Sequence, residues 1–331
     1  MLSALMDLSI RVIAFLQAQF AWLTPVMHFF TFLGNEEFYL LIMPFLVWSL
    51  DYALGMRLGV MLMLSGTLNG YLKVAFGQPR PYWVSASIQN LAEPMGSFGL
   101  PSGHSQNAAS VFGLLAVSSS KKWHKRLLVV MIVLVAFSRL FLGVHSLQDI
   151  VLGLAAGAAF LWIFLRLESA IVRFFTSRSL LMQIALSFMF SLMLLLLGVL
   201  VVNLFNSTPI PDLWLENTHI AHPQDAIEPY SINGLITSTA TLFGLTAGYL
   251  LILAKGGYQA GKGRFWQHAL RFVIGIAGVV LIWKGLGGLF PRTPDLLGYS
   301  LRYLRYALIG GWITGLAPMV FIAAKLGYRE L

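Results

Sequence analysis

Long apolar segments follow one another along most of the chain, separated by short polar stretches. A helix that crosses a bilayer needs about 20 mostly apolar residues. Nine segments approach or reach this length: residues 36–51, 55–75, 103–120, 127–144, 147–166, 180–203, 232–254, 268–289 and 304–325. The pattern therefore predicts an all-α fold, a polytopic membrane helical bundle with about nine transmembrane helices.

The first 35 residues fit this pattern less well. Polar side chains interrupt the apolar run at Arg11, Gln17, Gln19 and His28, and Pro25 breaks or kinks a helix. We predict one or two helices lying in the membrane interface, with Trp22 and the phenylalanines facing lipid; a tenth span is the alternative. The predicted parts are residues 1–35 (interfacial helices), 36–166 (a five-span catalytic core) and 167–331 (a four-span extension packed on the core).

Composition supports a membrane protein. Of the 331 residues, 58% are hydrophobic and 11% are charged, whereas soluble domains carry about 25% charged residues. The net charge of +9 does not indicate nucleic acid, because the basic residues lie in short loops where membrane topology accounts for them. The chain has no cysteine, which excludes disulfides and thiolate metal sites.

The distribution of charge also orients the chain. If the spans alternate in direction from residues 36–51 onward, 14 of the 22 lysines and arginines fall on one face. The longest loop of the other face, residues 206–231, carries acidic residues and no basic one. The positive-inside rule places the basic face in the cytoplasm. We therefore expect the polar clusters of the core on the extracytoplasmic side.

Three polar clusters interrupt the predicted core, at residues 73–81, 101–104 and 138–149. Charged residues at membrane depth are costly and are functional candidates for that reason. The clusters supply three cations, two histidines and one carboxylate: Lys73, Arg80, Arg139, His104, His145 and Asp149. Such a set is suited to binding and transferring phosphate.

The first two clusters offer groups that bind an anion. Arg80 precedes a proline, which keeps the local backbone extended, and its guanidinium matches two phosphate oxygens while Lys73 adds a point charge. The alternative is that both side chains snorkel to the interface. Ser102, Gly103 and His104 open a helix whose N–H groups favour an anion, and His104 can exchange a proton there. An ordinary helix cap at Ser102 is the alternative.

The third cluster pairs a histidine with a carboxylate. His145 and Asp149 are four residues apart where a span begins, so they can lie on one helical face. Asp149 can then accept from one imidazole nitrogen and leave the other free to attack phosphorus. A purely structural pair is the alternative, but all three clusters are expected at the same membrane face.

These patterns resemble a known family. Lys-x6-Arg-Pro, Pro-Ser-Gly-His and Ser-Arg-x5-His-x3-Asp are similar, in order and spacing, to the signature motifs of the type 2 phosphatidic acid phosphatase (PAP2) superfamily. The resemblance implies a membrane lipid phosphatase. The last four spans align by eye with no part of the minimal family core.

The resemblance also implies roles for the site residues. His145 is the expected nucleophile that forms a phosphohistidine, oriented by Asp149, and His104 is the general acid and base. The residues expected to bind the phosphoryl group are Lys73, Arg80, Ser102, Gly103 and Arg139. The resemblance implies no metal ion and no other cofactor.

Three further patterns are less specific. Residues 33–39 are similar to a stretch before the core of sphingosine-1-phosphate phosphatases, and residues 80–83 to glucose-6-phosphatase. We interpret Tyr82 and Trp83 as part of an interfacial aromatic belt. A metal site is not expected in the outer loop, because its four prolines argue against a regular helix that would present four side chains together: His219, His222, Asp225 and Glu228.

The function we predict is hydrolysis of a lipid phosphate monoester or pyrophosphate from the bilayer, at the extracytoplasmic face of a bacterial cytoplasmic membrane. A phosphotransferase that moves the phosphoryl group to a second lipid or sugar is the alternative on the same scaffold. A transporter or channel for anionic lipids gives no reason for the histidine–aspartate pair. A homodimer stays open, and a nucleic-acid partner is not expected.

Overall fold

The chain is described by a computed structural model that covers residues 2–93, 95–207, 209–221 and 226–330, with the side chains of residues 2 and 3 left aside. Helices make up 77% of these residues, and no strand occurs among them. The predicted all-α class is therefore confirmed.

Sixteen α-helices occur among the described residues. They are α1 (Leu2–Gln19), α2 (Thr24–Phe32), α3 (Glu36–Ser49), α4 (Tyr52–Phe76), α5 (Pro81–Val84), α6 (Gly103–Asn107), α7 (Gly113–Ser118), α8 (Lys122–Phe141), α9 (Leu147–Thr176), α10 (Leu180–Phe205), α11 (Asp212–Ala221), α12 (Asn233–Ala254), α13 (Phe265–Val280), α14 (Gly287–Leu289), α15 (Leu296–Gly311) and α16 (Ala317–Ala323). Single π-helical turns continue α6 into α7, α13 into α14 and α15 into α16: Ala108–Phe112, Leu281–Leu286 and Trp312–Leu316.

Six helical segments of the described chain are long and apolar enough to cross a membrane. They are Tyr52–Val84, Leu147–Thr176, Leu180–Phe205, Asn233–Ala254, Phe265–Leu289 and Leu296–Ala323. The other three predicted spans differ from these in length or charge. Helix α3 has only 14 residues, the run from α6 to α7 is also short, and α8 carries four basic residues. The predicted number of nine is not confirmed.

The N-terminal helices meet at a sharp bend. Ala4–Gln19 and Ala21–Phe32 are inclined by 85° and qualify as a seventh, broken span when taken together. Trp22 is 73% exposed and Phe15 58% exposed, as lipid-facing side chains would be. A bent pair of this kind is compatible with a broken span or a re-entrant segment, so the interfacial location stays a prediction.

Two compact units can be distinguished, each assembled from separate parts of the chain. Unit 1 contains Met1–Phe38, Leu68–Phe164 and Gly198–Ile232, and unit 2 contains Tyr39–Thr67, Leu165–Leu197 and Asn233–Leu331. The division at residues 35 and 166 stays a prediction about domains. All the predicted site residues belong to unit 1.

The core of unit 1 lies beside the three polar clusters. Buried aromatic and aliphatic side chains from α1, α5, α8 and the loops before α6 and α9 contribute to it, among them Ile13, Trp83, Phe98, Phe141 and Val144. Helix α9 packs closely on the segment that begins α6. A Cβ atom at Gly153 would lie 2.6 Å from Ser102 O and 3.1 Å from Ser105 Cβ, so only glycine permits this approach. The packing fixes the second cluster against the third.

Unit 2 contains a buried arginine that the charge pattern had placed on the basic face. Arg271 is 0% exposed. It donates to the carbonyl oxygens of Leu326 at 2.7 Å, Ala260 at 2.8 Å, Lys262 at 2.6 Å and Trp48 at 3.2 Å. These carbonyl groups satisfy the guanidinium inside the protein. The assignment of Arg271 to the basic face of the membrane stays a prediction.

Candidate active site

Lys73, in the last turn of α4, and Arg80, just before α5, converge on the loop at residues 96–98. Lys73 Nζ donates to Phe98 O and, at 3.3 Å, to Ser97 Oγ. Arg80 donates from Nε to Ser97 O at 2.8 Å and from Nη2 to Ser97 Oγ at 3.1 Å and Phe98 O at 3.3 Å. Arg80 is 1% exposed, so its side chain does not extend to the membrane interface as the alternative had it. Both cations are held by one short loop.

Arg80 also joins the first cluster to the third. Its Nη1 donates to Val144 O at 3.0 Å and lies 3.2 Å from His145 Nε2. His145 follows the turn that ends α8, where Gly143 has a φ of +78°, a conformation that favours glycine. This turn brings His145 back toward the cations.

The imidazole of His145 is oriented from both sides. Its Nδ1 lies 3.3 Å from Asp149 Oδ2, which also accepts from Ser146 N at 2.8 Å. Arginine has only donors, so His145 Nε2 faces Arg80 as an acceptor and the ring proton is assigned to Nδ1. A Cβ atom at Gly99 would lie 3.0 Å from Asp149 Oδ2, so a larger residue would crowd the carboxylate. Nε2 therefore carries the lone pair of the ring, which faces Arg80 in this structure.

His145 lies in the turn between α8 and α9, among positive charges. Burial lowers its pKa well below the usual value, and the charges of Arg80, Lys73, Arg139 and His104 lower the pKa further. A lowered pKa keeps the imidazole neutral, the form that acts as a nucleophile.

Ser102 and Gly103 occupy the start of α6, as the sequence predicted. Ser102 is the N-cap of α6, and its Oγ accepts from Ser105 N at 3.4 Å and from Ser105 Oγ at 3.0 Å. Its N–H donates to Asp149 O at 2.9 Å, which ties α6 to the first turn of α9. The ordinary cap is therefore present, and it leaves the phosphate-binding role of Ser102 and Gly103 a prediction.

His104 is held by a residue outside the three clusters. Its Nε2 lies 2.8 Å from Asn35 Oδ1, in the turn between α2 and α3. A Cβ atom at Gly34 would lie 2.6 Å from His104 Cδ2 and 3.1 Å from Val135 Cγ1, so this turn can approach the ring only with glycine. Asn35 was missed as a site residue, although residues 33–39 had been noted for their similarity to one branch of the family.

Arg139 lies on the other side of the site and contacts α2. Its Nη1 donates to Thr31 Oγ1, and its Nη2 lies 3.3 Å from Met95 Sδ. Its Nε is buried and has no hydrogen-bond partner among the described residues. A buried donor without a partner is costly, so Nε is available to an anion. Thr31 carried no signal in the sequence, since it is one hydroxyl in an apolar helix.

The structure joins part of the predicted set by direct contacts. Hydrogen bonds connect Lys73 and Arg80 through Ser97, Arg80 with His145, and His145 with Asp149. His104 instead contacts the turn that follows α2, and Arg139 contacts α2 itself. Ser97 was missed too, because a serine in an irregular loop gives no periodic or motif signal.

Two other expectations can be compared with the structure. Tyr82 and Trp83 are both 0% exposed, so the interfacial belt was wrong: Trp83 packs in the core with Phe98, at a ring distance of 6.3 Å. In the outer loop, His222 and Asp225 lie outside the described residues. Among the described residues, no cluster of acidic and imidazole side chains has the arrangement of a metal site.

Two family models match most of the membrane-spanning chain. The PAP2 superfamily model matches residues 54–173, and a second model, the PAP2 superfamily phosphatase transmembrane extension, matches residues 236–329. Phosphatidylglycerophosphatase B of Bacillus subtilis is 31% identical over 166 residues, which cover 46% of this chain and 79% of that protein. The chain belongs to the PAP2 superfamily. The last three predicted spans thus have a family counterpart in the extension, whereas the span at residues 180–203 lies outside both matches.

Other PAP2 relatives are longer than the region they share with this chain. Sphingosine-1-phosphate phosphatase 1 of Rattus norvegicus is 29% identical over 160 residues, 45% of this chain and 37% of that protein. Lipid phosphate phosphatase delta of Arabidopsis thaliana is 30% identical over 159 residues, 44% of this chain and 38% of that protein. The chain therefore aligns with less than two fifths of either relative.

A solved structure from the same superfamily is also similar. The crystal structure of the first transmembrane PAP2 type phosphatidylglycerolphosphate phosphatase from Bacillus subtilis is 26% identical and covers 51% of this chain and 84% of that one, with a TM-score of 0.40. Thr31, Asn35 and the outer loop lie outside both matched regions of this PAP2 chain.

Proposed function

We propose that this protein is an integral membrane phosphatase that removes phosphate from a lipid phosphate monoester or pyrophosphate through a phosphohistidine. One observation carries the proposal: His145 lies between a guanidinium and a carboxylate, with Nε2 3.2 Å from Arg80 Nη1 and Nδ1 3.3 Å from Asp149 Oδ2. This arrangement leaves an unprotonated nitrogen beside a phosphate-binding cation.

Binding comes first. The phosphoryl oxygens take the places of His145 Nε2 and Ser97 Oγ as acceptors from Arg80, which frees the lone pair of Nε2, while the carbonyl groups of Ser97 and Phe98 keep both cations in position. Arg139 Nε supplies a further donor. Ser102 Oγ and the N–H of Gly103 add neutral donors at the start of α6. Fixed cations around the equatorial oxygens stabilise the charge that spreads over them in the transition state.

The first chemical step transfers the phosphoryl group to the protein. The lone pair of His145 Nε2 attacks phosphorus, the P–N bond forms, and the P–O bond to the leaving group breaks. The proton on Nδ1 stays shared with Asp149, whose negative charge balances the phosphorylated ring. His104 gives its proton to the leaving oxygen, so an alcohol departs from a monoester and a phosphate from a pyrophosphate.

The second step releases phosphate. His104, now neutral, takes a proton from a water molecule as that water attacks phosphorus, and the P–N bond breaks. His145 recovers its lone pair and inorganic phosphate leaves. Water is thus the acceptor, which distinguishes a phosphatase from a phosphotransferase that uses a second lipid or sugar.

A lipid substrate is supported by the six helices of the described chain that are long and apolar enough to cross a membrane, and by relatives that are named for lipid phosphates. We place the site at the extracytoplasmic face, on the support of the uneven distribution of basic residues. Cysteine introduced at Asp212 should react with an impermeant maleimide added outside intact cells, whereas cysteine at Lys122 should not. The reverse pattern would overturn the orientation.

The function is tested by phosphate release from purified protein in detergent. The substrates are phosphatidate, phosphatidylglycerophosphate, undecaprenyl pyrophosphate, sphingosine 1-phosphate and a soluble sugar phosphate, with no acceptor other than water. We expect release from at least one lipid, and loss of that release in His145→Ala. Release that needs an added acceptor would favour the phosphotransferase, and a His145→Ala protein with wild-type turnover would refute the mechanism.

A further inference from the structure

A segment outside both family matches folds against the phosphate-binding loop. The described part of the outer loop consists of Asp212–Ala221, which forms α11, and residues 226–231. It belongs to unit 1 together with the site residues, although it follows α9 and α10 in the chain. Its contacts fall on the residues that hold Lys73 and Arg80.

The first contact is with the helical turn that follows Arg80. Asn217 is 6% exposed, and its Nδ2 donates to Trp83 O at 2.9 Å. The Trp214 ring lies 6.0 Å from the Trp83 ring. Trp83 N in turn donates to Arg80 O at 3.0 Å. Helix α11 therefore fixes α5, and α5 fixes the backbone of Arg80.

The second contact is with the loop at residues 96–98. Glu228 N donates to Gly96 O at 3.0 Å, and the Tyr230 ring meets the Phe98 ring edge to face at 5.6 Å. A Cβ atom at Gly96 would lie 2.7 Å from Ala226 O, so the backbones of the two loop segments approach closely. The flanking residues 96 and 98 are both held, and between them lies Ser97.

Residues 96–98 decide where the two cations lie before substrate arrives. Lys73 and Arg80 both donate to Ser97 and Phe98. The loop is irregular, so its own backbone provides no helix or sheet to fix it. Its position therefore depends on what packs against it, and a displaced loop would displace both cations from the phosphate.

We propose that four residues of the outer loop, Trp214, Asn217, Glu228 and Tyr230, form a clamp that positions Lys73 and Arg80 for phosphate. The inference rests on the proposed function for its biological meaning. The clamp acts through Trp83 and residues 96–98 and does not touch the substrate. It gives the acidic outer loop a role in anion affinity at the neighbouring site.

The test measures anion binding and catalysis in matched variants. Asn217→Asp is nearly isosteric and replaces the donor with an acceptor that faces Trp83 O. Leu213→Ala on the same helix is the control, because Leu213 is 53% exposed and lies outside the clamp. Tyr230→Phe keeps the ring that meets Phe98, and Tyr230→Ala removes it. The probe is orthovanadate, titrated calorimetrically into each full-length protein in detergent, followed by kcat and KM on the best lipid substrate.

We expect Asn217→Asp and Tyr230→Ala to bind vanadate about tenfold more weakly, the equivalent of about 1.4 kcal/mol. KM should rise by a similar factor with a smaller change in kcat, while Tyr230→Phe and Leu213→Ala stay near wild type. A merely structural role predicts a lower melting temperature with unchanged vanadate affinity in the folded fraction, and that result would overturn the clamp. Equal weakening in Leu213→Ala would overturn it as well.

The outcome separates the clamp from the proposed function. If wild-type protein binds vanadate but hydrolyses no lipid phosphate, the phosphatase assignment fails while the affinity comparison still decides the clamp. If hydrolysis is present and the clamp variants retain wild-type vanadate affinity, the clamp fails alone.

Discussion

Replacing Arg80 by lysine keeps a positive charge in the site and removes the guanidinium fork. Arg80 donates to Ser97 O, Ser97 Oγ, Phe98 O, Val144 O and His145 Nε2 over distances of 2.8 to 3.3 Å. A lysine ammonium has three donors on one atom and cannot reach acceptors spread around a planar fork. The substitution therefore tests geometry at constant charge.

The expected loss of activity is large and the loss of stability is moderate. Removing a preorganised donor from a developing oxyanion costs about 10²- to 10³-fold in kcat, or about 2.7–4 kcal/mol. Phe98 O and Ser97 Oγ keep Lys73 as a donor, so few buried acceptors lose every partner. We expect a stability loss of about 1–3 kcal/mol, the cost of one unsatisfied buried group.

Arg271→Lys is the matched control. Arg271 is as buried as Arg80 and also donates to several carbonyl oxygens, but it lies in unit 2 and takes no part in the site. This variant should lose as much stability as Arg80→Lys, or more, and keep wild-type turnover per folded molecule. Phosphate release and melting temperature are measured on the same monodisperse fractions.

Two results would refute the reasoning. An Arg80→Lys protein within about threefold of wild-type kcat/KM, a change under 1 kcal/mol, would mean that the fork is not needed. A matching fall in turnover for Arg271→Lys would mean that activity reports general destabilisation rather than the loss of a phosphate ligand.

Three further predictions concern the histidines and the cations. Gly34→Ala should lower kcat about tenfold with little change in KM, because the new Cβ would lie 2.6 Å from His104 Cδ2 and displace the general acid; unchanged kcat would contradict this role. Because the pKa of His145 is lowered, the imidazole should stay neutral down to the ordinary histidine pKa of about 6.5. We therefore expect that kcat/KM, corrected for substrate ionisation, does not fall between pH 8 and about 6.5. A fall in kcat/KM above about pH 6.5 would contradict a neutral nucleophile. Activity should survive EDTA, since Lys73, Arg80 and Arg139 supply the positive charge, and loss restored by a divalent ion would overturn that role.

The residues that carry the proposed chemistry were easier to predict from the sequence than the residues that hold them in position. Lys73, Arg80, His145 and Asp149 are charged or titratable residues in apolar surroundings, so each is conspicuous, and helical spacing pairs the last two. Asn35, Thr31 and Ser97 are ordinary polar residues from segments distant in sequence. Only the fold brings Asn35 to His104 and Ser97 between the two cations.

Burial was the property that the sequence pattern predicted least well. Trp83 has the composition of an interfacial anchor, yet α11 arrives from more than a hundred residues later in the chain and covers it. Arg271 follows the pattern of a cytoplasmic loop charge, yet carbonyl oxygens from three other segments enclose it. Hydropathy records the cost of burying such groups but not the partners that offset it.

The most direct test of the central claim is to trap the phosphorylated protein. His104→Ala should slow hydrolysis of the intermediate more than its formation from a pyrophosphate, because a phosphate leaving group needs little protonation. A lipid pyrophosphate labelled with ³²P at the transferred phosphoryl group should therefore leave the label on the protein. We predict an alkali-stable, acid-labile label on the peptide that contains His145, and none when His145→Ala is added to the same variant. A label on any other residue, or steady leaving-group release by the His104→Ala protein without a labelled intermediate, would contradict the account.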